Sequence, residues 1–375
     1  MEMAMKSGRV RRLGTLLGSG ALLLGTMTVG VAATSATAGA AGPFKACVVT
    51  DTGGINDRSF NQSAWNGALD AAKANANIQP SYLSSTSSSD YTPNIQNFIS
   101  QGCGIIVTVG FLMDQATAAA AAANPSQNFA IVDDQPSNPT THAALPNVES
   151  LLYLTNQGAF LGGYLAAASS KSGVVATYGG INIVPVTIYM NGFVAGVRYY
   201  NKVNHKHVKV LGWTPAKGNC TLTTCNGKGS FVGNFTDTTA GKNLTTGFFS
   251  SHADIVFPVA GSVGLGSIAA AKQAGKGHSV LWVDSDGCLT DKPDCGWLIG
   301  TVVKGVEASV RDAILAAANG TFNGGVYTGT LKNQGTGLVY GGIKVPAALK
   351  AKIKTITAGI KSGKISVNPN NYPAK

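Results

Sequence analysis

The chain has 375 residues, with 28 Lys and Arg against 17 Asp and Glu, a formal net charge of +11, and 44% hydrophobic residues. Its basic residues are scattered, with no run of five to eight, so the surplus argues for a solvated cationic surface and against a nucleic-acid-binding stripe. Past the first fifty residues no segment holds 18 uninterrupted apolar residues, which excludes a membrane span there.

Taken in chain order, the first element is a leader. Lys6, Arg9, Arg11 and Arg12 form a basic segment, and an apolar stretch follows from Leu13 to about Val31. Small residues then run through Ala32–Gly42 and offer A-x-A sites such as Ala36-Thr37-Ala38. That order predicts a signal peptide over residues 1–41, cleaved during export. An uncleaved anchor is the alternative, because the apolar core is near spanning length. The Gly and Thr content and the small-residue exit favour cleavage. Without the leader, 24 basic and 16 acidic residues remain, a net of about +8 over a length sufficient for two domains.

Six cysteines fit an oxidising compartment. Cys220 lies close to Cys225, and Cys288 to Cys295. Cys47 and Cys103 each adjoin a β-type run, KACVVT and CGIIVTV, so a third bridge is expected if those strands are neighbours in a parallel sheet. Metal ligation is the rival. No CxxC occurs, and the five His show no partnering spacing with Cys, so no metal is expected.

Short β-branched runs alternate with amphipathic or Ala-rich stretches. ACVVT, SFNQSAWNGALDAAKAN, GIIVTVG, DQATAAAAAA and NFAIVDD form one series. GVVATYGG, VTIYMNGFVAGVRYYNKV, VKVLGW, KNLTTGFFSSH and DIVFPV form a second, and GSIAAAKQAG, SVLWVD and VVKGVEASVRDAILAAANG follow. Continuous apolar strands between helices predict an α/β fold of two doubly wound parallel-sheet lobes.

In such sheets the crevice lies beyond the carboxyl ends of the strands. ACVVT is followed by Asp51, GIIVTVG by Phe111 and Asp114, and DIVFPV by Gly261, Ser262 and Gly264. SVLWV is followed by Asp284 and Asp286, and GSFVGNF brings Phe235 and Asp237. This composition suits a polar, ring-containing ligand. GSVGLG has the order GxxGxG and not the dinucleotide fingerprint, so a turn that lets a ligand approach backbone amides is the better reading, and no cofactor is expected. No GxSxG occurs, and no His adjoins a nucleophile, so acyl transfer lacks support. The carboxylates have three readings: helix N-caps, an acid–base pair for glycoside chemistry, or acceptors for sugar hydroxyls. Phe60 and Phe235 fit either the core or a sandwich around a flat ring.

Residues Asp51–Gly67, DTGGINDRSFNQSAWNG, resemble the opening signature of the basic membrane protein family, substrate-binding proteins of ABC transporters that include purine nucleoside receptors. The likeness continues through SSDY at Ser88–Tyr91, VGFLMD at Val109–Asp114 and GAFLGGYLAA at Gly158–Ala167. SKSG at Ser170–Gly173, GFVAG at Gly192–Gly196, GNFTD at Gly233–Asp237, Asp284-Ser285-Asp286 and Lys304 complete it, over about residues 45–345.

The resemblance implies a type I periplasmic-binding fold with several hinge crossings. Lobe 1 is expected over 44–155 plus about 286–325, and lobe 2 over about 156–285 plus about 326–375. It implies a non-enzymatic, monomeric protein that closes on a nucleoside, purine preferred, and delivers it to an ABC permease. Nucleic acid is not an expected partner, and the membrane is involved indirectly. Asp51 and Asn61 would bind polar atoms of the ligand, Phe60 and Phe235 would sandwich the base, and Asp114 would read the base edge. Gly261 would contribute backbone, and Asp284 with Lys304 would bind the ribose hydroxyls, while Arg58 would stand outside the pocket. No Cys precedes Cys47, so the family's lipobox is absent and a secreted or cell-surface protein without that anchor is implied. The alternatives are a sensing partner of a signalling receptor, using the same fold, and a nucleoside or sugar hydrolase using paired Asp.

Overall fold

The computed structural model describes residues 42–218 and 220–372; the expected signal peptide lies outside them. The chain runs β1 (Phe44–Thr50), α1 (Phe60–Ala74), β2 (Ile78–Ser84), α2 (Tyr91–Ser100), β3 (Ile105–Val109), α3 (Asp114–Ala123), β4 (Asn128–Val132) and β5 (Val148–Tyr153). It continues through α4 (Thr155–Ser169), β6 (Val174–Gly179), α5 (Val184–Asn204), β7 (Lys209–Leu211), the small pair β8 (Trp213–Pro215) and β9 (Gly227–Gly229), α6 (Thr238–Ser250) and β10 (Ile255–Val259). The remainder is α7 (Gly264–Ala274), β11 (Ser279–Asp284), α8 (Gly287–Thr290), β12 (Leu298–Lys304), α9 (Val306–Ala318), β13 (Gly325–Gly329), β14 (Thr336–Tyr340) and α10 (Ala347–Lys361).

These strands form two six-stranded sheets, ordered β13-β5-β4-β3-β1-β2 and β14-β12-β11-β10-β6-β7. The first is parallel throughout, and in the second only β14 runs antiparallel, against β12. The reason is legible in composition. β3 (IIVTV) and β10 (IVFPV) are buried at every position, as strands covered on both faces must be. On the first sheet α1 and α9 cover one face and α2 and α3 the other. On the second, α4, α5 and α10 cover one face, with α6 and α7 opposite.

Helices α4 and α5 touch backbone to backbone. A Cβ on Gly163 would lie 2.0 Å from the Phe193 carbonyl oxygen, and one on Gly196 would lie 2.0 Å from that of Phe160. The glycines of GAFLGGY and GFVAG are therefore packing residues, because no larger side chain fits between these axes.

The chain crosses between the lobes three times, at Leu154–Thr155, at Lys304–Gly305 and along Gly329–Thr336. β12 pairs with β11 and β14, in the second sheet. The first lobe's second segment therefore starts near residue 305 and not near 286, because β12 is hydrogen-bonded into the other sheet. α9 and β13 supply that segment.

Three disulfides close: Cys47–Cys103, Cys220–Cys225 and Cys288–Cys295. The first forms because β1 and β3 are parallel neighbours, which brings the two Cα atoms to 6.1 Å.

Candidate functional site

Both sheets reverse their strand order at one place. β1 pairs with both β2 and β3, and β6 with both β7 and β10. The carboxyl ends at these switch points face one another across a cleft. Lobe 1 lines it with Asp51 after β1, Phe60 and Asn61 at the start of α1, Gly110 and Phe111 after β3, and Asp133 after β4. Lobe 2 answers with Tyr189 of α5, Phe235, the turn Ala260–Ser262 after β10, Asp284 at the end of β11 and Lys304 at the end of β12.

Asp133 and Asp284 both end strands with positive φ, +70° and +65°. Asp is among the few non-Gly side chains that tolerate this region, and such outliers cluster where a side chain must be aimed.

The most charged part of the cleft is a buried row. Lys304 Nζ lies 2.6 Å from Asp133 Oδ2 and 3.6 Å from Asp284 Oδ1. Tyr189 donates its hydroxyl to Asp284 Oδ1 at 2.7 Å, and the Ser59 hydroxyl reaches Asp284 Oδ2 at 3.1 Å. Burial pushes the Asp133 carboxyl up to about 6, although Lys304 pulls it back. Burial alone would lower the Lys304 ammonium; Asp133 and Asp284 outweigh that and hold it above its ordinary value. The ammonium also sits 4.7 Å from the Phe60 ring centroid, within cation–π range.

A second polar group faces it from the start of α1. Asp51 Oδ1 accepts from Asn61 Nδ2 at 2.8 Å and from the Gly53 amide at 3.0 Å. Burial raises Asp51 above the usual carboxylate range despite these bonds. Asn61 Oδ1 is buried with no partner. A buried acceptor left open costs roughly 1–3 kcal/mol, so a polar ligand donor at this point would be favoured. Asp57 accepts from the amides of Ser59, Asn61 and Gln62 and so anchors the helix start, and burial pushes it up to about 7.

Seven of the eight expected site residues, Asp51, Phe60, Asn61, Phe235, Gly261, Asp284 and Lys304, line this one cleft. Asp114 does not; it is the first residue of α3 and half-buried. Phe235 packs against the strand-exit glycine Gly180, where a Cβ would lie 2.4 Å from its ring, and Ser262 donates to its carbonyl at 2.6 Å. Asp133 and Tyr189 were not among the expected residues. NFAIV runs straight into Asp133, so the strand-exit rule that selected Asp51 and Asp284 also points to it. Tyr189 sits inside a helix and carries no such signal.

Arg58 does not line the cleft. Its guanidinium pairs with Asp291 of the Cys288–Cys295 loop, while its carbonyl accepts from Thr290 Oγ1 at 2.9 Å. The Ser285 hydroxyl donates to the Ser59 carbonyl at 2.8 Å. The lobes are thus stitched together along the α1 side of the cleft.

A family model described as ABC transporter substrate-binding protein PnrA-like matches residues 44–218 and 228–370. An ABC transporter nucleoside-binding protein, BmpA of Lactococcus lactis subsp. cremoris, is 30% identical over 341 residues, spanning 86% of this chain and 89% of that protein. Basic membrane protein A of Borreliella burgdorferi is 31% identical over 234 residues, 62% of this chain and 61% of that one. Among solved structures, an ABC transporter solute-binding protein from Aeropyrum pernix K1 superposes with a TM-score of 0.73 at 23% identity, covering 86% of this chain and 93% of that chain. That likeness establishes the fold.

Proposed function

We propose that this chain, which belongs to the family of PnrA-like ABC transporter substrate-binding proteins, captures a nucleoside, purine preferred, outside the cytoplasm and delivers it to an ABC permease. The observation that carries the reading is the division of the cleft into an aromatic part and a carboxylate part. Phe60 and Phe235 supply flat apolar faces, and stacking on a base contributes on the order of 1–3 kcal/mol per ring. The Asp133–Lys304–Asp284 row presents anionic acceptors and one cationic donor. A cis-diol needs that combination, and each charged hydrogen bond contributes roughly 1.5–3 kcal/mol. Asp51 and Asn61 are left for the polar edge of the base. The nucleoside-binding relative from Lactococcus lactis supports the same ligand class.

The working step is closure. A ligand that touches both lobes favours the closed state by its differential affinity for it, and the permease then reads the closed form. No bond is made or broken. One chain supplies both walls of the cleft, so capture requires no second copy.

Purified protein tests this directly. Denaturing release of whatever it carries from its expression host, followed by mass spectrometry, is expected to yield a nucleoside. Release of a free sugar, an amino acid or a free base in stoichiometric amount would overturn the assignment.

A further inference from the structure

The two lobes carry opposite charge. Segments 43–154 and 305–335 of the first hold five Lys and Arg against ten Asp and Glu, a net of −5. Segments 155–304 and 336–372 of the second hold eighteen against six, a net of +12. No Asp or Glu occurs between residues 150 and 236, or after Asp312. Interspersed signs would give the same solubility without so large a single-sign field.

Part of this excess converges on a groove. It lies where β10, β11 and β12 begin, the end of the second sheet opposite the ligand cleft. Lys171, Lys276 and Lys344 line it together with Trp297, Ile343 and His278, and the three lysines are exposed. The carboxylate lining it, Asp254, is engaged by the Ser170 hydroxyl at 2.7 Å and the amides of Lys171 and Ser172 at 2.6 and 2.9 Å. His278 packs its ring on Phe249 and keeps a buried Nδ1 without a partner. α10 starts at the groove, through Pro346 and Leu349, and exposes Lys350, Lys352 and Lys354 beyond it.

We propose that this groove and the exposed lysines of α10 dock a flexible phosphodiester polyanion of the cell envelope, retaining the protein at the cell surface by charge. A polymer fits better than a lipid surface for two reasons. The lysines line a concavity and continue onto a separate helix, a path that a chain can follow and a plane cannot. The exposed large hydrophobics, Tyr82, Val203, Leu289 and Val326, all lie outside the groove, and the groove's own Trp297 and Ile343 are half-buried in its lining, so no large apolar side chain projects from it into a bilayer. The polymer's location rests on the extracytoplasmic reading above; the charge argument is independent of the ligand.

Co-sedimentation and calorimetry with synthetic poly(glycerol phosphate), beside phosphatidylglycerol vesicles, test it on the mature chain. Binding to the polymer is expected at 50 mM salt, weakening roughly tenfold or more by 200 mM as counterions are released. Lys171→Glu, Lys276→Glu and Lys344→Glu together are expected to abolish it, with nucleoside affinity and circular dichroism unchanged. If that triple variant fails to fold, the Lys→Gln set at the same positions carries the same expectation in weaker form. No binding at 50 mM salt, binding insensitive to these changes, or tighter binding to the vesicles than to the polymer would overturn the proposal.

Discussion

Lys304 is a buried cation between two carboxylates, and its removal strands both. A lone buried charge left by breaking such a group costs about 3–5 kcal/mol. Lys304→Met should therefore lower stability by several kcal/mol in urea titrations as well as remove ligand affinity. Adding Asp133→Asn is expected to recover part of the stability and none of the binding; full recovery of binding would show that the row does not touch the ligand. Asp133 also sets a pH dependence. Its folded value of about 6 stands above the ordinary 3.8, so the folded state holds this proton more tightly than the unfolded chain does. This group's contribution to stability is thus greatest below pH 4 and falls as pH rises through 6. Binding runs the opposite way, because the ionised carboxylate is the acceptor. Calorimetry is expected to show affinity dropping about tenfold per pH unit below 6, and Asp133→Asn should flatten that slope. Asp51, Gly261 and Asp284 were visible in the sequence as residues that follow apolar runs, whereas Phe60 and Asn61, which open α1, and Lys304 were expected through the family resemblance. Tyr189 was hidden because its position depends on the rotation of α5 against the sheet, which periodicity does not fix.

Two elements join the lobes outside the cleft. The first is the loop around α8, closed by Cys288–Cys295, which holds Arg58 of the opposite lobe through Thr290 and Asp291. Asp291 is buried while the Arg58 side chain is 44% exposed, so the pair sits at the rim of the contact between the lobes. Asp291→Ala is expected to speed ligand dissociation several-fold with little change in association, as most single interface changes do. Stopped-flow traces with identical dissociation rates would remove the latch role. The second element is the last crossing, where a Cβ on Gly335 would lie 2.2 Å from the Gly329 Cα. Gly335→Ala has to push these strands apart, at a cost of about 1–3 kcal/mol, read as a lowered melting temperature in the absence of ligand. The first of these was legible in the close spacing of Cys288 and Cys295, whereas the last crossing carried no signal, because the short runs on either side of it were not read as strands. The lobe to which β12 belongs was not legible, because the apolar run LIGTVVK fits either sheet and its pairing is set by β11 and β14.

At the scale of the molecule, two largely parallel sheets meet at their carboxyl ends with the cleft between them, so a ligand held there would touch both lobes. The contacts from Ser59 to Asp284 and from Lys304 to Asp133 both cross between lobes and both involve cleft residues. Occupancy of the cleft should therefore couple to the whole fold, and ligand at a hundredfold excess over Kd should add about 2.7 kcal/mol of stability. The fold class was readable from strand composition, and the signature at Asp51–Gly67 carried the family. Phe60, Phe235 and the carboxylate row line one cleft, but no one motif in the sequence names the molecule they hold. Isothermal titration of the mature, ligand-stripped protein against adenosine, guanosine, inosine, the pyrimidine nucleosides, free ribose and free adenine identifies it. Purine nucleosides are expected to bind one to one and tightest of the set, with binding abolished by Phe60→Ala and by Asp284→Ala. Saturable binding of ribose or adenine alone, or no heat with any nucleoside, would contradict this assignment.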